Sequence, residues 1–384
     1  MRQITVALLA ALIWLTASYE SSRAQIIYGE PPSVSGRLVY QKWTLSTSSG
    51  RDSSLTQIAF PVGAMIPLAP HWEVHLNSAI SHSNLDDGKN STSISSLTAS
   101  AVKVYRSFAD DKIFAAGGLV LPTGKTGYDT MQVAVTQLIA DDYLNLPVKQ
   151  VGSGVGLQFQ LGGASKYEWL LYGGSISYNY SGSYKYFEQG EKYKPGDDIA
   201  VQASGTVEGS EGALDLDLAY KYYMADKVGS TEVFKNGGIF SVGISGRYEF
   251  GVTNVSLSLA EIVRSKNSLQ FGSALRAEEN NSNNNKTIIG GSVAYGLSSS
   301  ASLSLLAEYR TLTANGYDAT SEQFFGKSDL FSFGGGLTYK GFDNRYVIYS
   351  KLVFSTGEAD KGAAARKAIS ITGTEISVGG RIQL

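Results

Sequence analysis

The chain has 384 residues and contains no cysteine, so it can form neither a disulfide framework nor a thiolate metal site. Proline is also scarce, with eight residues, and histidine occurs only three times. Past the N-terminus, no apolar run approaches the roughly 20 residues that a transmembrane helix needs. The formal net charge is −2 and no basic stripe accompanies the aromatic residues, so nucleic acid is not an expected partner.

The first 24 residues have the pattern of a secretory signal. Arg2 supplies a short positive region, residues 4–17 form an apolar run, and Ser22-Arg23-Ala24 offers small residues for cleavage before Gln25. The alternative, an N-terminal anchor helix, is disfavoured because the run is short for a membrane span. We therefore expect a signal peptide over residues 1–24 and one exported domain over residues 25–384.

Strict alternation of apolar and polar residues is the main positive signal. Between Ala213 and Met224 the even positions are Leu, Tyr or Met, whereas the odd positions include aspartate and lysine. The same period recurs over residues 239–250, 330–340 and 345–355, and it predicts strands with one face for hydrocarbon and one for water. The polar faces supply these candidate lumen-lining residues: Glu73, His75, Asp215, Asp217, Lys221, Arg247, Glu249 and Lys351.

The connections between these segments alternate in length. Short turn-like pieces at 163–166, 209–212, 251–254 and 341–344 alternate with long polar stretches at 181–197, 225–237, 266–286 and 313–328. This alternation is typical of an outer-membrane barrel with short periplasmic turns and long extracellular loops. The sequence therefore predicts an all-β fold, a transmembrane antiparallel β-barrel of about 16 strands. The count falls to 14 if the segment before Thr56 is a plug-like piece.

The last strand carries its own signal. Counting back from Leu384, apolar or small residues occupy alternate positions to Ile376, against polar residues such as Arg381 and Glu375. A terminal apolar residue with this spacing resembles the C-terminal signal that the barrel assembly machinery reads. That machinery and outer-membrane lipid are the expected partners, together with a small-molecule cargo.

One excursion between two strand-like runs has a helical pattern. Asp129-Thr-Met-Gln132 has the form of a capping box, and the residues that follow place apolar side chains on one helix face. The competing interpretation is a strand, because Met131, Val133 and Val135 also alternate. We expect a short helix over 130–142 within a loop at 123–150 that constricts or gates the pore. Its candidate plug surface consists of Met131, Val135, Leu138 and Ile139.

Three short motifs flank and follow this excursion: Leu121-Pro-Thr-Gly124, Gly152-Ser-Gly154 and Tyr193-Lys-Pro-Gly-Asp197. Their order and spacing resemble the outer-membrane family named for the "MetA-pathway of phenol degradation", which is distantly similar to long-chain fatty acid outer-membrane transporters. The motif-bearing part covers about residues 115–206. The resemblance implies a transporter for small hydrophobic or aromatic compounds.

The segment 71–82 contains all three histidines and is the candidate for catalysis or metal binding. His71, Glu73 and His75 would share a strand face, but residues two apart are about 6–7 Å apart, which is long for shared ligation. His82 and Ser83 are adjacent, so their side chains would point to opposite faces and form no catalytic pair. We therefore predict no enzyme activity, no cofactor and no metal.

The functional expectation is a channel or transporter in the outer membrane for small hydrophobic or aromatic compounds, gated by the 123–150 loop. The mixed charges of the candidate lumen argue against an apolar cargo and suit polar solutes. Two alternatives therefore stay open: a general porin for small polar solutes, and a structural or adhesive surface barrel that acts through loops 181–197 and 266–286.

Overall fold

The computed structural model describes residues 31–47, 52–140, 143–341, 343–360 and 368–384. The expected signal peptide lies outside the described residues. No helix within these ranges is long and apolar enough to cross a membrane.

The main sheet is a closed antiparallel barrel, because its first strand pairs with both the second and the last. Its strands are Ser33–Thr47 (β1), Asp52–Ala69 (β2), Trp72–Asp86 (β3), Ser91–Leu97 (β4), Ser100–Phe108 (β5), Ile113–Leu121 (β6), Gly156–Tyr167 (β7), Leu170–Ser181 (β8), Asp198–Glu208 (β11), Gly212–Tyr223 (β12), Ile239–Phe250 (β15), Thr253–Arg264 (β16), Lys286–Gly296 (β19), Ala301–Leu312 (β20), Ser328–Gly341 (β21), Tyr346–Ala359 (β22) and Ile369–Gln383 (β23).

The barrel has 16 strand positions, because β4 and β5 together make one interrupted strand. β4 pairs with residues 80–86 of β3, and β5 pairs with residues 72–77 of the same strand. An extra residue near Thr98 forms a bulge between β4 and β5. The Thr98 backbone and side chain both bond Ala79 of β3, at 2.7 and 3.0 Å. The prediction of 16 strands is confirmed.

The proline-containing second strand is a full member of the barrel. Pro61 cannot donate a backbone hydrogen bond, and the ladder between β1 and β2 is interrupted opposite it, at Arg37 and Leu38. The ladder resumes at Gly36, which pairs with Val62. The strand therefore tolerates this proline at the cost of a local gap in one ladder.

The sequence alternation is realised around the barrel. The residues that the sequence assigned to the lipid side, such as Leu214, Phe331 and Ile376, are exposed on the outer surface. Their polar neighbours in sequence lie on the inner face, in register across adjacent strands. The short turns lie at one end and the long connections at the other, as expected for periplasmic and extracellular ends.

One predicted turn is wrong. Residues 163–166 continue β7 to Tyr167, and the turn lies instead at Glu168 and Trp169. Glu168 adopts a positive φ of 49°, which a two-residue hairpin turn requires. The Gly-Ala-Ser sequence favours a turn, but Gly163 pairs with Gly174 of β8, so this segment remains part of the strand.

The long polar stretches are more ordered than the sequence suggested. Three of them form a second, six-stranded sheet above the barrel. Its strands are Tyr184–Lys185 (β9), Lys192–Lys194 (β10), Ala225–Val228 (β13), Thr231–Lys235 (β14), Ser268–Phe271 (β17) and Ala274–Ala277 (β18).

The asparagine-rich run 280–285 is a connector rather than a free loop. Asn281 and Asn283 donate to the carbonyl oxygens of Arg264 and Ser265, and Asn284 donates to that of Thr313. These side chains satisfy backbone groups that no strand pairs, so they tie the extracellular connections to one another.

The predicted helix is present as Thr130–Ile139 (α1). Asp129 caps it and accepts a 2.8 Å bond from the Gln132 backbone N–H. The rest of the capping box is absent, because the Gln132 side chain instead accepts from Lys125 Nζ at 2.9 Å. The helix ends at Ile139, earlier than expected, and Asp142 lies outside the described residues.

Candidate functional site

The segment between β6 and β7, residues 122–155, is here called the insert, and it folds into the barrel. Its buried side chains join one apolar cluster with inner-face residues of the wall. The insert contributes Tyr128, Val135, Ile139, Tyr143, Leu144, Leu146 and Val151, and the wall contributes Trp43, Leu55, Ile94, Leu330, Ala359, Ile369 and Ile371. Burial of such side chains is worth about 1.5–3 kcal/mol each, so the insert is firmly seated.

The two ends of the insert pass each other with their backbones in contact. A Cβ placed on Gly124 would lie 1.9 Å from the Val151 carbonyl oxygen, and one on Gly152 would lie 1.8 Å from that of Lys125. Only glycine allows such an approach. The Pro-Thr-Gly and Gly-Ser-Gly motifs therefore build the narrow neck through which the insert leaves and rejoins the wall.

The neck is anchored to the bulge in the wall. Thr123 Oγ1 donates to the Thr98 carbonyl oxygen at 2.6 Å and accepts from the Ser100 backbone N–H at 3.0 Å. These bonds fix the first residues of the insert to backbone groups of the wall directly after β6.

Two polar side chains of the wall hold the far part of the insert. The Gln57 side chain of β2 donates to the Val148 carbonyl oxygen at 2.8 Å and accepts from its N–H at 2.9 Å. On the opposite side, the buried Arg310 of β20 donates to the Tyr143 carbonyl oxygen and to Glu308. The insert is therefore bonded to wall strands on both sides of the apolar cluster.

An aromatic cluster joins the insert to the extracellular sheet. Tyr128 packs edge to face on Tyr186, with ring centroids 5.7 Å apart, and Tyr186 also packs on Phe187 and Tyr193. In addition, the backbone N–H groups of Gly127 and Tyr128 donate to the carbonyl oxygens of Lys185 and Tyr186. A movement of the insert would therefore disturb the extracellular sheet as well.

The four candidate plug residues have different environments. Val135 and Ile139 are fully buried and Leu138 packs against the same cluster, whereas Met131 is 43% exposed. The expected apolar surface is thus mostly an anchoring surface, because its side chains face the wall. Their role in a substrate path stays a prediction.

The inner wall has two unlike halves. In the packed half, the inner faces of β20–β23 and β1–β4, residues such as Leu55, Gln57 and Ser83 are fully buried beneath the insert. In the open half, the inner faces of β7, β8, β11, β12, β15 and β16, Gln202 is exposed and Ser204, Ser245 and Ser258 are partly exposed. At middle height, solvent therefore reaches the inner wall along the open half, whereas nearer the extracellular end the inner residues Tyr223, Ile239 and Ile262 of this half are buried.

All eight candidate lumen residues lie on inner faces, but they are not one site. Asp215, Asp217, Lys221, Arg247 and Glu249 lie in the open half, whereas Lys351 lies in the packed half and Glu73 and His75 lie near the periplasmic end.

Several of these charges are already paired. Lys221 contacts Asp198 at 3.2 Å and Lys351 contacts Glu375 at 3.3 Å. Glu73 contacts His75 at 3.2 Å, and Asp215 accepts from Thr206 at 2.7 Å. Asp217 is half-buried, and its Oδ2 atom makes no hydrogen bond. The open half therefore presents a mixed polar wall, in which Asp217, Arg247 and Glu249 make no ion pair among the described residues.

The proposed histidine row is wrong in one member. His71 precedes β3 in a turn, with φ of 66°, and contacts Asp111 at 3.0 Å instead of sharing the face of Glu73 and His75. Among the described residues, no group of acidic and histidine side chains could hold a metal ion.

His82 and Ser83 lie on opposite faces, as the sequence indicated. Ser83 is buried and accepts from Gln57 at 2.9 Å, while the exposed His82 contacts Ser95 of β4 at 2.5 Å on the outer surface. The adjacent pair therefore offers no nucleophile and base to one substrate.

The wall beside β4 is completed by the insert instead of by a strand. Within the described residues, β4 pairs only with β3, while β6 ends at Leu121 opposite Ser100. The insert bonds to the other edge of β4. The Lys125 backbone N–H donates to Ser96 Oγ at 2.8 Å, and Gln132 Nε2 donates to the Ser93 carbonyl oxygen at 3.5 Å. Displacing the insert would open the wall at this point.

Sequence reasoning missed the wall residues that hold the insert. A signal was nevertheless present, because the alternation reverses at the extracellular ends of several strands. In β23, for example, Ile369 and Ile371 point inward while Ser370 and Thr372 point outward. An apolar inner face indicates that this part of the wall packs on a segment inside the barrel. A polar outer face indicates that it lies outside the hydrocarbon layer of the membrane.

No family model matches the chain, and no curated protein matches it. Among solved structures, the chain is similar to Pseudomonas putida OprB, with 10% identity, 91% of this chain and 94% of that chain covered, and a TM-score of 0.56. A Pseudomonas aeruginosa FadL homologue gives 7% identity, 92% and 90% coverage and a TM-score of 0.45. A "CymD monoaromatic hydrocarbon channel" gives 12% identity, with 92% of this chain and 89% of that chain covered and a TM-score of 0.43.

These identities are too low to carry function, and of the three only the OprB match exceeds a TM-score of 0.5. The OprB match supports the barrel fold described above. The protein is an outer-membrane β-barrel with a short helix folded inside it.

Proposed function

We propose that the protein is a channel through which small solutes diffuse along the open half of the barrel, while the insert closes the packed half. The observation that carries this proposal is the contrast in burial between inner serines of the two halves, Ser83 and Ser258. A path lined by serine, glutamine and mixed charges favours small polar or charged solutes, because such side chains replace part of a hydration shell.

The test is planar-bilayer conductance of the intact protein beside a variant in which residues 126–147 are replaced by a short glycine-serine linker. We expect small steady currents from the intact protein and a several-fold larger conductance from the deletion, since pore conductance rises with the open cross-section. Equal conductance would refute the constriction. Heat-dependent gel mobility would verify that both barrels are folded.

A second candidate, uptake of small hydrophobic or aromatic compounds, is favoured by the free edge of β4. Among the described residues the insert closes the wall there, so an apolar solute that displaced the neck could pass sideways into lipid. The motif resemblance implies the same cargo class.

This candidate predicts a separable effect. Cross-linking Ser96→Cys to Lys125→Cys with a short thiol reagent should block uptake of an aromatic compound into cells while leaving ion conductance unchanged. The absence of native cysteine makes the reaction specific. The uncross-linked double variant is the control, and unimpaired uptake after cross-linking would remove the lateral path.

A further inference from the structure

One face of the extracellular sheet carries a row of lysines, which follows from strand register. Lys192 of β10 pairs with Lys185 of β9, and Lys194 pairs with Lys227 of β13. Ala225, two residues before Lys227, pairs with Lys235 of β14. The register shift between Asp226 and Lys227 adds its extra residue, Val233, to β14, so the alternation along β13 is kept. Because residues two apart on a strand share a face, all five lysines lie on the same face of this sheet.

The opposite face of the sheet is the one that meets the insert. Tyr184 and Tyr193 pair with each other and pack edge to face, 5.9 Å apart, and both contact Tyr186 beside Tyr128 of the insert. The lysine face therefore points away from the pore mouth.

Two of the lysines show where that face leads. Lys194 Nζ lies 4.6 Å from the centre of the Tyr180 ring, and Lys235 Nζ lies 4.3 Å from that of Tyr222 and 2.7 Å from its hydroxyl. Tyr180 and Tyr222 are exposed on the outer, lipid-facing side of β8 and β12. The lysine face is thus continuous with the surface that contacts the membrane.

The charge of this face is poorly compensated. Lys194 contacts Asp197 at 3.3 Å and Lys227 contacts Glu232 at 3.6 Å. Within the described part of the chain, Lys185, Lys192 and Lys235 form no ion pair. A net positive surface remains immediately above exposed tyrosines.

We propose that this lysine face binds the phosphate-bearing head groups of outer-leaflet lipids. Tyrosine rings mark the boundary between hydrocarbon and head groups, and lysines just above them reach head-group phosphates while their stems cover apolar surface. The charge is complementary, and the surface continues the lipid-facing wall. The bound lipid would stabilise the extracellular sheet. Because the aromatic cluster joins that sheet to the insert, it would also stabilise the position of the insert.

The experiment uses the full chain in nanodiscs of phosphatidylcholine containing a diphosphorylated glucosamine lipid or its dephosphorylated analogue. Retention of the lipid after detergent extraction is measured by native mass spectrometry. The variant Lys185→Gln, Lys192→Gln, Lys235→Gln removes the unpaired charges and spares the two ion pairs. A charge-matched control replaces Lys89, Lys112 and Lys327 with glutamine, since all three are exposed outside this sheet.

We expect the triple variant to lower retention of the phosphorylated lipid about tenfold, because charge-assisted bonds to phosphate supply the binding. The control and an arginine triple variant at the same positions should retain it. Equal retention of the dephosphorylated lipid, or unchanged retention by the triple variant, would overturn the proposal. Unchanged gel mobility and circular dichroism would show that the variants are folded.

Discussion

The packed and open halves of the inner wall arise from the same alternation of side chains, yet they differ in what their inner faces meet. On β1, β2 and β23 the inner residues near the extracellular end are Trp43, Leu55 and Ile371, and they pack on the insert. On β11, β15 and β16 the residues at middle height are Gln202, Ser245 and Ser258, which solvent reaches. The comparison shows that a barrel can use part of its lumen as a protein core while another part stays open to solvent.

The largest expected effect is in chemical accessibility. Ser83→Cys and Ser258→Cys place one thiol in each half of a chain without native cysteine. A charged thiol reagent should modify Ser258→Cys on the order of a hundredfold faster, because Ser83 reacts only through local opening that costs about 3 kcal/mol. Similar rates, measured by mass shift against time, would abolish the distinction between the halves.

A charge buried under the insert should unseat it. Val135→Asp places a carboxylate in the apolar cluster, where an unpaired charge costs about 3–5 kcal/mol, so conductance should approach that of the insert deletion. Met131→Asp is the matched control, since that residue is exposed on the same helix, and it should conduct like the unaltered protein. If Val135→Asp also leaves the current unchanged, the insert is not held by this cluster.

The smallest effect should come from the open half itself. Asp217→Asn removes one acidic group from the passage and should lower the cation-to-anion permeability ratio about twofold, as expected for one charge screened by water. Glu375→Gln makes the same change in the packed half and should alter this ratio less. Reversal potentials in a salt gradient provide the measurement, and an equal shift in both variants would contradict the assignment of the path.

Much of the architecture was accessible from local pattern. Alternation predicted which side of each strand meets lipid. Leu214 lies on the outer face and Asp215 on the inner face, as the pattern predicts. The Asp129 cap predicted the start of α1, because capping depends on groups only three residues apart. The position of the turn after β7 was missed, because it depends on the register with the neighbouring strand.

The candidate site was less accessible, for a physical reason. The anchors Gln57 and Arg310 are 91 and 167 residues from the insert groups that they bind, and no local pattern links such partners. The helix face of Val135 and Ile139 was recognised as apolar, but amphipathicity does not say what an apolar face will contact. Only the folded barrel shows that it contacts the wall.

The sequence by itself therefore determined the class of fold, the two faces of its strands and the presence of a capped helix, because each depends on residues a few positions apart. The tertiary structure decided that the helix lies inside the barrel, that Gly124 and Gly152 form the neck of the insert, and that three polar loops join into one sheet. Those outcomes depend on segments that meet only when the barrel closes, since closure alone sets which inner faces oppose each other.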